Sequence, residues 1–224
     1  MVGEVTRIAI DIVSDVMCPW CYIGKKRFER ALETLDPDIE VDVTWRPFQL
    51  DPTLPREGKD RDTYLAEKFG GIERARQLYG NIEQAGQGVG IPFRFDSIAV
   101  SPNTLDAHRL IRWAQTAGDG VQGRVVERLF ELYFLEGANI GDHAVLIEVA
   151  RECGMDTAIV ETLLASDSDR EAVTREIALA QQMGVTGVPC FILQNKYAIM
   201  GAQDSKTIAD AIRQLAAETE PAAG

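Results

Sequence analysis

The residues with the clearest capacity for chemistry are Cys18 and Cys21, two of four cysteines, in the stretch Asp15-Val16-Met17-Cys18-Pro19-Trp20-Cys21-Tyr22. A C-x-x-C pair can clasp a metal, cross-link a chain or exchange disulfides. A four-cysteine zinc site needs a second close pair, but Cys153 and Cys190 stand alone, so no metal is expected. A chain of 224 residues, 46% hydrophobic and 26% charged, can build its core without cross-links. Redox exchange is the chemistry that fits such a pair in a reducing compartment.

Exchange makes demands on geometry. The attacking thiol must be ionised and reachable. Cys18 directly precedes Pro19, a residue suited to the first helical position, and so would cap a helix whose first N–H groups lack partners. Those groups and the positive end of the helix dipole favour a thiolate there. Cys21, one turn further on, would lie deeper, placed to attack a mixed disulfide and release the partner. Pro19 stiffens the turn without losing a needed hydrogen bond. Trp20 falls at the mouth, where a broad apolar face suits peptide substrates, or it simply packs.

The flanking pattern must position this pair. Arg7 to Val13 reads as a strand buried on both sides, Pro19 to Leu35 as a helix stopped by Asp36-Pro37-Asp38, and Glu40 to Trp45 as a half-buried strand. Residues 51–166 turn helical, with helices expected over Asp62–Tyr79, Asn103–Ala117 with Asn103 as cap, Val121–Glu136, Asp142–Cys153 and Asp156–Ala165. The Gly-rich run Gly86 to Asp96 lacks the lysine and following helix of a phosphate loop and reads as a plain loop. Ser168-Asp169-Arg170-Glu171 looks like a capping box opening a helix that Gly184 ends. Gly187–Leu193 and Lys196–Met200 read as strands turning at Gln194-Asn195, and Asp204 caps a last helix that frays from Glu218. A βαβ start, a helical block and a ββα end describe an α/β, thioredoxin-like fold with an inserted helical domain: residues 1–50 and 167–224 around 51–166.

The formal net charge of −12 repels phosphate backbones and anionic membrane surfaces, so neither nucleic acid nor membrane is an expected partner. Lys25-Lys26-Arg27 is a local exception that reads as the solvated face of a helix. No run is long and apolar enough for a span, the first residues carry no secretory pattern, and a cytoplasmic location is expected. Nothing in the residues indicates an oligomeric state.

"DIVSDVMCPWCYIGKKRFERAL", "VTWRPFQLDP", "SPNTLDAHRL" and "GVTGVPCFIL" with "MGAQ" together resemble the DsbA family of thiol-disulfide oxidoreductases, specifically its FrnE-like branch, from about Arg7 to Ala216. The resemblance implies Cys18 as nucleophile, Cys21 as resolving thiol and a cis bond at Val188-Pro189. The Val188 backbone would pair with an extended substrate, and an acidic residue, Asp11, would stand behind the cysteines as a proton relay to Cys21. Asp11 reads equally as a solvated strand-edge residue. The segment holding Asn103 and His108 would lie over the groove, where an imidazole could tune Cys18, although a lone helical histidine is more often structural.

Kappa-class glutathione transferases and 2-hydroxychromene-2-carboxylate isomerases are similar across "WRPFQL" and "GVP" but carry Ser in place of the first Cys. Cys18 therefore favours thiol-disulfide exchange or isomerisation with cysteine-containing peptides, proteins or small thiols. No cofactor is required, and glutathione can serve as redox partner or co-substrate. A glutathione-dependent isomerase or transferase is the second reading, and a peptide-binding holdase the third. Cys190 and Cys153 read as small buried hydrophobes rather than further redox thiols, and His143 has no constellation around it.

Overall fold

The structure, a computed structural model, describes residues 5–219. Strand β1 (Thr6–Ser14), helix α1 (Pro19–Leu32) and strand β2 (Ile39–Pro47) open the chain. Strands β1 and β2 are parallel, with Ile8 opposite Val41, Ile10 opposite Val43 and Ile12 opposite Trp45. Near the other end come β5 (Cys190–Leu193), β6 (Tyr197–Met200) and α9 (Ser205–Thr219). Strand β5 lies antiparallel to β1, with Cys190 opposite Val13, which gives a four-stranded sheet in the order β2-β1-β5-β6. The turn between β5 and β6 places Gln194 and Asn195 at φ 51° and 54°, the left-handed pair that a tight hairpin requires.

The sheet is covered on both faces. Ile8, Ile10 and Ile12 share one face and enter the large apolar cluster with Phe28 of α1 and Ile208 and Ile212 of α9. Val13 points the other way, into a smaller cluster with Phe48, Ala180, Val185 and Cys190. Burial of β1 on both faces holds only from Ile12 onward: Arg7 and Ala9 are exposed and Asp11 half-buried, because the start of the strand is covered on one face alone.

Between β2 and the sheet's return lie α2 (Arg61–Phe69), α3 (Ile72–Gln87), α4 (Leu105–Ala114), α5 (Val121–Phe134), α6 (His143–Glu152), α7 (Thr157–Leu164) and α8 (Arg170–Gln182). This segment also holds a two-stranded pair, β3 (Lys59–Asp60) with β4 (Val100–Ser101), and a 3₁₀ turn over Phe95–Ser97. The helix expected over Asp62–Tyr79 is two helices, because Gly70 and Gly71 adopt φ of 74° and 129° and close the first in a left-handed cap. Helix α4 starts at Leu105, so Asn103 sits one residue outside the cap position, although its Oδ1 still accepts from the Leu105 amide. The capping box before α8 does not form: Asp169 takes φ 58° and its carboxylate faces Trp113 Nε1 instead. Glu218 accepts from Tyr197 and Gln214 and belongs to α9, and the rest of the tail beyond Thr219 lies outside the described residues.

Helix α1 is held from two sides. Tyr22 stacks on Phe130 of α5 at 4.9 Å between ring centres and donates to Glu127. Lys25, only 6% exposed, pairs with Glu29 and Glu127, Lys26 pairs with the same two carboxylates, and Arg27 reaches the Ala202 carbonyl. The expected solvated basic face is therefore a clamp between α1 and α5. Helix α5 supplies the carboxylate that sequence spacing along α1 cannot show.

Candidate active site

Cys18 is the N-cap of α1, with an extended backbone (φ −92°, ψ 113°) and Pro19 at the first helical position. Its carbonyl accepts from the amides of Cys21 at 3.0 Å and Tyr22 at 3.4 Å, and its own amide donates to the Asp15 carbonyl at 2.9 Å. The Cys18 Sγ lies 3.8 Å from the Val188 carbonyl oxygen, and the Val188-Pro189 peptide bond is cis. The reachable thiol expected at this position is only 4% exposed, because the cap geometry turns the sulfur onto that carbonyl rather than outward. Trp20, 39% exposed in the same turn, gives the site an open apolar surface.

One residue that sequence reasoning passed over brings these two segments together. A Cβ placed on Gly24, in the second turn of α1, would fall 2.7 Å from the Pro189 Cγ and 3.5 Å from the Phe191 ring. Glycine here lets the helix backbone rest against the proline, and the Gly201 amide fixes the loop from behind by donating to the Pro189 carbonyl at 2.8 Å. No local pattern marks this glycine, since the approach is between chain segments far apart in sequence.

Cys21 is 1% exposed. Burial pushes its thiol well above the ordinary value and the adjacent Cys18 adds to this, while Ser14 and the Asp15 backbone pull weakly the other way. Cys21 is therefore a protonated thiol at neutral pH. Cys153 and Cys190 are also buried thiols raised by burial, and all four cysteines are free. Cys190 lies in the small apolar cluster under α8 and Cys153 closes α6.

The acidic residue does not fall where the resemblance put it. Asp11 is half-buried on the open face of β1 and pairs with Arg46 at 2.9 Å. The carboxylate in the cysteine loop is that of Asp15, fully buried, accepting from the Leu50 amide at 2.8 Å. Asp11 shares the uncovered start of its face with Arg7 and Ala9, whereas Asp15 lies just beyond the end of β1, in the turn that leads into Cys18. His108, 2% exposed, places Nε2 3.4 Å from the Asp15 carboxylate, so it faces this loop rather than lining an open groove. Asn103 accepts from Gln49 at 3.2 Å and donates to the Leu54 carbonyl at 2.7 Å, fastening the strand-to-helix loop beside it. Among the described residues no group of three or more His, Cys, Asp or Glu could hold a metal ion, and no helix is long and apolar enough to cross a membrane.

A cysteine caps a helix, its partner lies one turn inside, and a cis-proline loop before another strand lies beside the capping thiol. Residues 9–213 match the family of the DsbA-like thioredoxin domain, and the chain belongs to that family. It is 30% identical to a probable DsbA oxidoreductase from Streptomyces coelicolor, covering 96% of this chain and 92% of that one with a TM-score of 0.86. The uncharacterized protein YwbO of Bacillus subtilis is 28% identical over 190 residues, 83% of this chain and 86% of that protein. A 2-hydroxychromene-2-carboxylate isomerase shares the fold at 15% identity, with a TM-score of 0.69 over 94% of this chain and 97% of that one.

Proposed function

We propose that this protein is a thiol-disulfide oxidoreductase of the FrnE-like branch, working in the cytoplasm on cysteine-containing peptides, proteins or small thiols. The Cys18 thiolate attacks a substrate disulfide, forming a mixed disulfide and releasing one substrate sulfur as a thiolate. Cys21 then gives up its proton and attacks the Cys18 sulfur, which releases the second substrate thiol and leaves a Cys18–Cys21 disulfide. The substrate gains two electrons and the pair loses them, and the reverse sequence oxidises a dithiol. Glutathione is a suitable small partner for restoring the dithiol.

The observation that carries this reading is the unequal placement of the two thiols. Cys18 sits at the cap beside the Val188 carbonyl, while Cys21 is one turn inside, its thiol kept protonated by burial. The Val188 backbone beside the sulfur can pair with an extended peptide. The test uses two variants against an oxidised peptide. Cys21→Ser should accumulate a covalent adduct on Cys18, seen by mass spectrometry, and Cys18→Ser should form none. An adduct on Cys153 or Cys190, or equal turnover by the Cys18→Ser protein, would defeat the proposal.

A further inference from the structure

Three lysine or arginine side chains are buried among the described residues: Lys25, Arg61 and Arg109. Two of them are neutralised, Lys25 by Glu29 and Glu127 and Arg109 by Asp106. Arg61, 5% exposed at the start of α2, forms no ion pair with any described carboxylate. Its Nη1 donates to the Tyr133 hydroxyl at 3.1 Å, its Nη2 makes no well-formed hydrogen bond although the Tyr79 hydroxyl is near, and its guanidinium stands 4.9 Å from the Tyr79 ring centre and 5.9 Å from that of Phe95. A buried charge left without a counter-ion is strongly unfavourable, so it marks a place where an anion belongs.

Arg61 lines a cavity of about 460 Å³. That is within the size range of small-molecule sites. Leu65, Ile72 and Ile98 give it an apolar wall, and Asp60, Asp62, Asp96 and Arg76, the last paired with Glu73, stand exposed around it. Asp60 is already engaged in capping α2 through Thr63. Burial raises the Tyr79 hydroxyl pKa, and the Arg61 guanidinium beside it acts in the opposite direction.

We propose that this cavity binds a small organic acid with an apolar body, its carboxylate held by the Arg61 guanidinium and its body against Leu65, Ile72 and Ile98. The planar guanidinium fork matches a carboxylate. The surrounding aspartates disfavour a doubly charged phosphate more than a monoanion. The Tyr79 and Phe95 rings shield Nη2, so the acid engages it after a side-chain rotation in that wall.

The test is calorimetric titration of the full chain with benzoate, benzamide and inorganic phosphate. Benzoate should bind in the millimolar range or tighter, with benzamide and phosphate weaker by about tenfold or more. Arg61→Met should weaken benzoate by a similar factor. Ile72→Trp, which fills the cavity and keeps the guanidinium, should abolish the binding. Absent benzoate binding, or binding unchanged in either variant, overturns the proposal, as does benzamide binding equally well. Phosphate binding as tightly as benzoate would replace the organic acid by a general anion site. If Arg61→Met fails to fold, Ile72→Trp and the benzamide comparison decide. None of these readouts depends on disulfide exchange.

Discussion

Helix α4 carries two buried polar residues two positions apart, Asp106 and His108, and the molecule treats them in opposite ways. Asp106 accepts from Arg109 at 2.9 Å and Arg170 at 2.8 Å, and lies 2.9 Å from His143 Nε2. Arg109 continues to the carbonyls of Leu163, Ser166 and Ser168, so this side of α4 is tied to α6, α7 and the turn before α8 with every guanidinium nitrogen engaged. On the other side the contacts are looser: His108 Nε2 lies 3.4 Å from Asp15 without hydrogen-bond geometry, and the Ser14 hydroxyl, Arg61 Nη2 and Ser101 hydroxyl likewise lack a well-formed hydrogen bond. Ser14 adjoins Cys21, and Ser101 stands by the Tyr133 hydroxyl that receives Arg61. An unmet buried polar atom costs about 1–3 kcal/mol. Loosely met atoms on the side of the thiols and the Arg61 cavity, against saturation around Asp106, distinguish the two sides of α4.

The largest effect should come from breaking the saturated side. Asp106→Asn strands the buried Arg109 and removes the carboxylate shared by Arg170 and His143. It should cost about 3–5 kcal/mol in urea denaturation. A loss below about 1 kcal/mol would mean that the carbonyls around Arg109 suffice and that the contrast across α4 is only apparent.

The redox half of this contrast was readable in the residues because its signals are local. Pro19 after Cys18, the alternation along β2 and the polar turn at Gln194-Asn195 each specify backbone within a few residues. The resemblance then joined these pieces into one site. What escaped depends on approach through space. Asp11 and Asp15 cannot be ranked without knowing where β1 ends and which part of its face is covered, Gly24 looks like any helical glycine until Pro189 is placed against it, and Arg61 reads as an ordinary first-turn charge. Lys25 shows the same limit: its partner Glu127 is 102 positions away.

Gly24→Ala tests the site side by crowding instead of charge. The added methyl meets the Pro189 ring and must push either α1 or the loop. Overpacking of this kind costs about 1–3 kcal/mol. Disulfide exchange should fall more than stability does, because the displaced loop carries the Val188 carbonyl away from Cys18. Wild-type turnover at a lowered melting temperature would show that the contact serves stability alone.

Glu127→Gln weakens the clamp between α1 and α5, which the contrast places with the saturated elements. Burial raises the Glu127 pKa, but Lys25 and Lys26 more than offset this and hold it below the ordinary value. A depressed carboxylate contributes stability above the unfolded-state pKa of about 4.3 and loses it as the pH falls through the lower folded value. The variant should therefore be about 1–2 kcal/mol less stable than wild type at neutral pH, Lys25 retaining Glu29 as partner. The gap should close in acid. A pH-independent gap would locate the effect in packing against Tyr22 rather than in charge.

The smallest effect is expected at Arg61, and its smallness is informative. Methionine keeps much of the side chain's length and apolar contact while removing the unpaired charge. What is lost is one hydrogen bond to Tyr133, about 1 kcal/mol, and the attraction to the Tyr79 and Phe95 rings, about 1 kcal/mol each. What is gained is relief from burying a cation without a counter-ion, a term of similar or larger size. Arg61→Met should thus leave unfolding free energy within about 1 kcal/mol of wild type, or raise it, when measured without added anions. Two buried guanidinium environments would then respond to charge disruption in different ways, a large loss at Arg109 when Asp106 is changed and almost none at Arg61. A loss at Arg61 as large as that of Asp106→Asn would make Arg61 a structural tie, and the division of α2 to α8 into a saturated side and a looser side would fail.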